Sequence, residues 1–280
     1  MNLALHAKKD MPQLQRARGI GRIVTKQRDA RTCLQSLFQE GCGKIRLPNT
    51  HSAALEAVFI NTAGGITGGD HLQWSADIAD NGHLVVTTQA FERLYRSTGA
   101  TAHVQTRLDV GANAHLDWLP QETILYDGSK LDRRLEADLA DGATLTAIES
   151  ILLGRDAMGE DARDALLRDN WRIRRNGRLI HAEASTLSAR ALERDGLSLL
   201  AGNSAFATIV HVAATSERAD ALLQRIRSTF QARHAIAASA NGERLVIRAM
   251  AEGGLALRRM IVPTLIELTG AGSLPRLWHL

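Results

Sequence analysis

The sequence predicts a mainly β protein with a stacked, solenoid-like β-hairpin body and a small two-helix flank near the C-terminus. Three glycine-centred turns recur about thirty residues apart, at Asp80-Asn81-Gly82, Val110-Gly111-Ala112 and Asp141-Gly142-Ala143. Each turn separates two strand-like runs, and self-similarity at a fixed period is typical of stacked supersecondary units. We therefore interpret each segment as a strand, a tight turn and a second strand.

The helical flank is predicted from a change of periodicity after about residue 205. Ser216–Arg233 carries apolar residues at helical spacing, and Ser216 can serve as its N-cap. A second helix is predicted over 255–269, where apolar residues again share one face. Gly270 then provides a C-terminal stop, because glycine readily adopts the left-handed conformation that ends many helices.

The chain is long enough to bury one large core. It has 280 residues, of which 45% are apolar and 23% are charged, as in ordinary globular proteins. We expect a single domain over 1–280, with a β body over about 19–205 and a strand-helix-strand-helix flank over about 205–270. Asn176-Gly177 and Asp195-Gly196 are predicted to form two further hairpin turns.

Charge and cysteine content exclude several classes of function. The net charge is +4, but no basic patch with aromatic or groove-reading elements is visible, so we expect no nucleic-acid partner. Acidic protein surfaces would suit the same charge. Cys33 and Cys42 form neither a metal motif nor a disulfide framework, so a cytoplasmic protein with free thiols is expected. Neither a signal peptide nor an apolar run of about 18 residues is present, and no membrane association is predicted.

The glycine-rich segment Asn61–Asp70 can be interpreted in two ways. Its glycines would let backbone N–H groups approach an anion closely. However, the segment lacks the Lys-Ser/Thr pair of a P-loop and does not match GxGxxG. A nucleotide-dependent enzyme that uses this loop and Glu122 stays an alternative on the strength of the glycines alone. A tight turn explains the same glycines without a ligand.

A metal site is suggested only weakly by the residues themselves. The ten histidines form no HxH, HxxxH or HExxH motif. His181 and Glu183 would point to the same face of a strand, and imidazole with carboxylate suits nickel or zinc. A hydrogen-bonded or solvated pair explains the same spacing. No GxSxG or ordered Ser/His/Asp set is visible, so we assign no catalytic residue and expect no enzymatic activity.

Four blocks in a fixed order carry a resemblance to a known family. They are Asn61–Asp70 (NTAGGITGGD), Thr87–Ala90 with Leu94–Ser97, Trp118–Gly128 (WLPQETILYDG) and Gly154–Glu160 (GRDAMGE). Together they resemble the urease accessory protein family UreD, also called UreH, most strongly over about 20–185. The motif residues that we single out are Gly64, Gly65, Gly68, Gly69, Trp118, Pro120, Gln121, Glu122, Gly154, Gly159 and Glu160.

The resemblance implies a non-enzymatic factor that helps to install nickel in apo-urease, together with UreF-like and UreG-like proteins. It implies a mostly β fold with two helices, an internal passage for nickel and no tightly bound cofactor. Asp70 matches an aspartate of the family, and Glu183 is a looser match. We propose both as transient nickel ligands, with His181 as a weaker addition. Asp70 as a simple turn cap, and a structural adaptor without any metal role, remain alternatives.

Overall fold

The computed structural model describes residues 15–50, 52–155, 158–188, 195–230, 235–270 and 274–279. They form two β-sheets that face each other across an apolar core, with α-helices on the outer face of the second sheet. The strands in chain order are β1 (Arg18–Arg28), β2 (Arg31–Gly41), β3 (Gly43–Arg46), β4 (Leu55–Asn61), β5 (His71–Ile78), β6 (His83–Thr88), β7 (Glu92–Leu94), β8 (Ala102–Val110), β9 (His115–Leu119), β10 (Thr123–Leu125), β11 (Lys130–Leu139), β12 (Thr144–Leu153), β13 (Leu166–Arg175), β14 (Arg178–Leu187), β15 (Ala205–Val212), β16 (Ala235–Asn241) and β17 (Arg244–Ala251).

Both sheets are built on parallel strands that come from successive repeats. Sheet A has the spatial order β14-β13-β11-β8-β5-β1-β2. Sheet B has the order β16-β17-β15-β12-β9-β6-β4-β3, with β10 beside β12 and β7 beside β10. Neighbours among β5, β8, β11 and β13 are parallel in sheet A, as are those among β4, β6, β9 and β12 in sheet B. This stacking of equivalent strands confirms the predicted solenoid-like, mainly β fold.

The pairing within each repeat differs from the expected hairpin. β5 and β6 flank the first turn, yet β5 belongs to sheet A and β6 to sheet B, and the next two repeats behave alike. The turn therefore crosses the gap of about 10 Å between facing sheets. The reason is burial, because Leu72 and Ala76 of β5 pack in the same core as Leu84 and Val86 of β6. A hairpin would place both apolar faces on one sheet and leave them uncovered.

The stacked turns are also joined to one another. The Asn81 N–H donates to the Ala112 carbonyl at 2.8 Å, and the Asn113 N–H donates to the Asp141 carbonyl at 2.9 Å. A side chain at Gly111 would collide with Asp80 of the preceding turn, since a Cβ there would lie 2.6 Å from its Oδ1. Glycine is therefore required at position 111 by close stacking.

The second pair of hairpin predictions has a mixed outcome. Asn176-Gly177 joins β13 and β14 as an antiparallel hairpin, as predicted. The prediction at Asp195-Gly196 is wrong for its second strand, because Leu197–Leu200 adopts turns. The first strand of that hairpin would fall largely in 189–194, which lies outside the described residues.

Helix α1 (Ser216–Thr229) begins where predicted but ends before the expected Arg233, because Phe230 has an extended backbone. Helix α2 (Gly254–Thr269) occupies the predicted position. Thr215, not Ser216, is the N-cap of α1, since its side chain accepts the Arg218 N–H. Gly270 ends α2 in the left-handed conformation with φ of 63°, as predicted. Neither helix is long and apolar enough to cross a lipid bilayer.

The two helices cover the outer face of sheet B. Residues of α1 such as Leu223 and residues of α2 such as Leu265 pack against outward-facing Leu119 and Ile148. A short 3₁₀ segment, Arg276–His279, follows α2. The apolar stripes found in the sequence are thus the faces that the helices bury against the sheet.

A buried ionic network joins the two sheets. Arg133 of sheet A donates to both carboxylate oxygens of Asp169, at 3.1 and 2.6 Å, and also to Glu149 of sheet B. The indole N–H groups of Trp118 and Trp171 complete it, at 3.3 Å from Glu149 and 3.2 Å from Asp169. Burial raises the pKa of Glu149 to about 7, although Arg133 opposes the shift. The single buried guanidinium of Arg133 thus pairs with two carboxylates.

Removing the cation of this network is expected to destabilise the protein strongly. Arg133→Met should lower the free energy of unfolding by about 3–5 kcal/mol, because Glu149 and Asp169 are left buried without a counter-charge. The neighbouring exposed Arg134 is the matched control, and Arg134→Met should change stability by less than about 0.5 kcal/mol. Urea unfolding monitored by tryptophan fluorescence measures both. Equal effects of the two substitutions would show that the network does not stabilise the sheets.

Candidate functional site

The four family-like blocks meet at one end of the sandwich. Each block follows the carboxyl end of a parallel strand of sheet B, namely β4, β6, β9 or β12. Because these strands are parallel neighbours, their carboxyl ends lie along the same edge. The tight turns lie at the opposite end. The blocks are far apart in sequence, so their convergence marks this end as the candidate functional site.

A cavity of about 250 Å³ lies between the sheets at this end. Its wall includes parts of three blocks, among them Gly65, Thr88 and Pro120. Apolar side chains form much of the remainder, but the carboxylates of Glu92 and Glu149 also line it. A small number of polar groups in an apolar concave site is the usual character of a binding pocket.

Glu92 is held in the cavity wall by the glycine-rich loop. The Asn61 side-chain amide donates to both Glu92 oxygens, at 3.1 and 3.3 Å, and to the Gly65 carbonyl at 3.2 Å. Gly65 has φ of 144°, and a Cβ there would lie 2.4 Å from the Tyr95 ring. Burial raises the pKa of Glu92 from 4.5 to about 7, and nearby Asp70 adds to the increase. Glu92 belongs to no motif that would predict a site, although it stands between two motif segments.

Asp70 caps the turn that ends the loop. Its Oδ1 accepts the Ala17 N–H and its Oδ2 accepts the Thr67 N–H, both at 2.8 Å. The side chain is buried, and both oxygens are used by the backbone. Cys42 lies nearby. Burial raises the pKa of its thiol, and the charges of Asp70 and Glu92 add to the increase. The geometry thus supports the cap, and it also places Asp70 beside the cavity-lining Glu92.

Most backbone donors of the loop are engaged within the fold and do not face a phosphate together. Seven of its N–H groups donate to oxygens of the protein, and they are those of Thr62, Ala63, Gly64, Ile66, Thr67, Gly69 and Asp70. A phosphate-binding loop needs such groups to point together at the anion. The glycines instead serve the tight path of the chain, which weakens the alternative of a nucleotide-dependent enzyme.

His181 and Glu183 lie far from Asp70, at the opposite lateral edge of sheet A. Four strand spacings separate β14 from β5, or about 19 Å. Glu183 accepts from Arg248 of sheet B at 2.8 and 3.1 Å, and its Oε2 is 3.8 Å from the Nε2 of His181. Burial and then Arg244 lower the pKa of His181. The pair is therefore brought together as predicted, but its carboxylate is already engaged in an ion pair.

The block WLPQET attaches α2 and the C-terminal tail to the β body. Arg258 of α2 donates to both oxygens of Glu122, at 2.6 and 2.8 Å, and also to the Gln121 side chain. Its guanidinium lies 5.2 Å from the Trp278 ring centroid. The Trp278 indole in turn donates to the Leu119 carbonyl at 3.1 Å. Glu122 is 1% exposed and fully paired, which favours this structural role over acid–base chemistry.

The described residues of the block GRDAMGE, 154–155 and 158–160, are bonded to one another beside the third block. Arg155 pairs with Glu160 through both the main chain and a 2.5 Å ion pair. Glu160 also accepts the Asp127 N–H at 3.1 Å, and the Arg155 guanidinium lies 4.4 Å from the Tyr126 ring centroid. A Cβ on Gly154 would lie 1.8 Å from the Glu160 carbonyl oxygen. The motif residues therefore shape the loop, and the loop rests on the end of WLPQETILYDG.

Loss of the Arg258 clamp is expected to destabilise the fold. Arg258→Met leaves the buried Glu122 carboxylate unpaired and should lower the free energy of unfolding by about 3 kcal/mol. The adjacent, exposed Arg259 gives a matched control, for which methionine should be almost neutral. Thermal unfolding followed by circular dichroism compares the two variants. A melting temperature of Arg258→Met equal to that of Arg259→Met would contradict the clamp.

Glu92 is expected to make stability depend on pH. Its folded pKa of about 7 exceeds the ordinary value of 4.5, so the folded state holds a proton that the unfolded state releases between these values. The contribution of Glu92 to the free energy of unfolding therefore falls as pH rises through this window. The substitution Glu92→Gln removes this loss. Relative to wild type, the free energy of unfolding of Glu92→Gln should therefore rise by about 1–2 kcal/mol from pH 5 to pH 8, allowing for solvent screening.

Urea unfolding at the two pH values measures this difference. Exposed Glu136 on β11 is the control, and Glu136→Gln should differ from wild type by the same amount at both pH values. A pH-independent effect of Glu92→Gln would mean that its carboxyl group titrates normally.

Comparison with known proteins shows the family to which this chain belongs. The family model described as UreD urease accessory protein matches residues 17–279. A protein named urease accessory protein UreD from Chelativorans sp. (strain BNC1) is 57% identical over 267 residues, covering 95% of each chain. The protein of the same name from Sinorhizobium medicae (strain WSM419) is 46% identical over 275 residues, covering 95% of this chain and 97% of its own. This chain therefore belongs to the UreD family of urease accessory proteins.

Proposed function

We propose that this protein is a non-enzymatic, cytoplasmic maturation factor of urease. It binds apo-urease together with UreF-like and UreG-like proteins, and it helps to deliver nickel to the urease active site. The observation that carries this proposal is the cavity between the sheets, which is bordered by three of the four blocks and lined by carboxylates. Family membership supports the urease role, and the cavity supports the handling of a cation.

The chemistry of the cavity suits a metal that must be released again. Isolated carboxylates bind a divalent cation weakly, whereas a closed Cys/His cage would retain it. Glu92 is suited to exchange because its raised pKa lets a proton compete with the metal near neutral pH. Asp70 adds negative charge beside this group, even though its oxygens cap the turn.

The distant pair His181 and Glu183 is connected to the cavity through the interior. Glu149 lines the cavity and pairs with Arg133, which pairs with Asp169. The chain of contacts then continues through Trp171, whose ring faces His181 with a centroid separation of 6.4 Å. We propose that nickel follows this line of polar groups between the sheets. Arg133 stands in the path, so passage requires its side chain to move.

The proposal predicts that removing carboxylate charge lowers nickel delivery without preventing assembly. Asp70→Asn, Glu92→Gln and Glu183→Gln are each co-expressed with urease and with the UreF-like and UreG-like proteins. We expect wild-type yields of the complex but several-fold less nickel per urease, because each variant removes a charge that attracts the cation. Mass spectrometry measures the nickel, and affinity purification measures the complex.

Glu136→Gln is the matched control, since Glu136 is an exposed carboxylate on β11. It should leave both the yield of the complex and the nickel content unchanged. Normal nickel loading with all three interior variants, at equal complex yield, would reject the nickel route and favour an adaptor without a metal role. Failure of the wild-type chain to bind either accessory protein or apo-urease would reject the proposed function itself.

A further inference from the structure

Two histidines are stacked in register on the outer face of sheet B. His83 of β6 pairs with His115 of β9, and His115 pairs with Thr144 of β12. Each of these residues comes directly after the tight turn of its repeat, so they occupy equivalent positions in successive repeats. Asp117 lies two residues beyond His115 and therefore points to the same face. Parallel stacking thus collects a three-residue set from separate parts of the chain.

The nitrogen and oxygen atoms of this set converge. The Nε2 of His83 is 3.1 Å from one oxygen of Asp117, and the Nε2 of His115 is 3.0 Å from the other. The two imidazole rings are edge to face, with centroids 4.5 Å apart. One ligand atom from each residue lies within 4.8 Å of the other two. Ligands at about 2.0–2.1 Å from one metal ion are separated by about 3 Å, and the two nitrogen–oxygen distances of the set match this value.

Two atoms of the set have no hydrogen-bond partner among the described residues. They are the Nε2 of His115 and the Oδ1 of Asp117, and both are buried. Although 3.0 Å apart, they lack the alignment of a hydrogen bond. A shared metal ion requires this misalignment, because the lone pair of each ligand atom must point at the ion. At each ligand atom, the direction to the ion differs by roughly 40° from the direction to the other ligand atom. An unsatisfied buried pair is otherwise costly.

The surroundings orient the ligands as in known metal sites. The Nδ1 of His115 contacts the Thr144 hydroxyl, which can fix the ring orientation and leave Nε2 free for the metal. Asp117 is almost fully buried, with 1% of its side chain exposed, so its carboxylate is held in place beside both imidazoles. The His83 side chain is 33% exposed, so an ion can reach the set from solvent.

We propose that His83, His115 and Asp117 bind one divalent first-row transition-metal ion. Imidazole and carboxylate together favour ions such as nickel or zinc, and the exposed side of His83 leaves positions for water. The site is separate from the interior cavity, because Leu116 and Trp118 of the same strand face the core between the sheets. It does not depend on the function proposed above, and its test requires no urease partner.

The experiment is metal titration of the untagged full-length chain with nickel alone and, separately, with zinc alone. Isothermal titration calorimetry should show one ion per chain for at least one of the two metals. His83→Ala should weaken this binding by more than about a hundredfold, since the loss of a direct ligand exceeds the usual effect of removing a group that only orients a ligand. Thr144→Val should weaken it by about tenfold, because it removes only the contact that orients His115.

The chain provides a matched control pair in sheet A. His71 and His103 are also in register, with stacked rings 5.0 Å apart, but no third ligand joins them within the described part of the chain. His71→Ala should therefore leave the affinity unchanged. Cobalt, used as a spectroscopic probe, should give a visible absorption band with wild type and His71→Ala but not with His83→Ala.

Two results would overturn the proposal. One is the absence of stoichiometric binding of both nickel and zinc to the folded wild-type chain. The other is equal affinity of wild type and His83→Ala, which would place the bound ion elsewhere. Far-ultraviolet circular dichroism of each variant establishes folding, and the partial exposure of His83 makes its substitution tolerable to the fold.

Discussion

The ion pairing of Arg133 with Glu149 and Asp169 is the constraint on which the interior depends. Arg133 and Asp169 belong to sheet A and Glu149 to sheet B, so the network fixes how closely the sheets approach. Buried charges require such partners, whereas apolar side chains alone would pack the space fully. Arg133 and Glu149 of this bridge also line the cavity, so the same contact that joins the sheets forms part of the cavity wall.

Local sequence signals predicted the elements, and long-range burial decided how they pair. The turns at Gly82, Gly111 and Gly142 were visible because glycine is required where the chain reverses tightly. Whether the flanking strands form a hairpin or cross between sheets depends on which apolar faces meet, and no local signal encodes this. Similarly, α1 was predicted from its apolar stripe, but its N-cap is displaced by one residue because Thr215 has the suitable extended backbone.

The candidate site was predictable in its location more than in its chemistry. The four blocks all follow strands, so their clustering could have been inferred once those strands were known to be parallel. The role of Asp70 depends on Ala17, which is 53 residues away, and that of Glu122 on Arg258, which is 136 residues away. The spacing of His83 and His115 carries no familiar motif. It equals the repeat period, and only alignment of the repeats with one another would have revealed it.

The contact between Glu122 and Arg258 has a consequence for synthesis on the ribosome. Until α2 has emerged, α1 alone can cover the outer apolar face of sheet B. The parallel pairs already require contacts between residues about thirty positions apart. Such topologies fold slowly, and their intermediates expose apolar surface that promotes aggregation. The nascent chain is therefore most vulnerable late in translation. A protein of this design benefits from slow synthesis, or from a partner that shields the face while the last segment is being made.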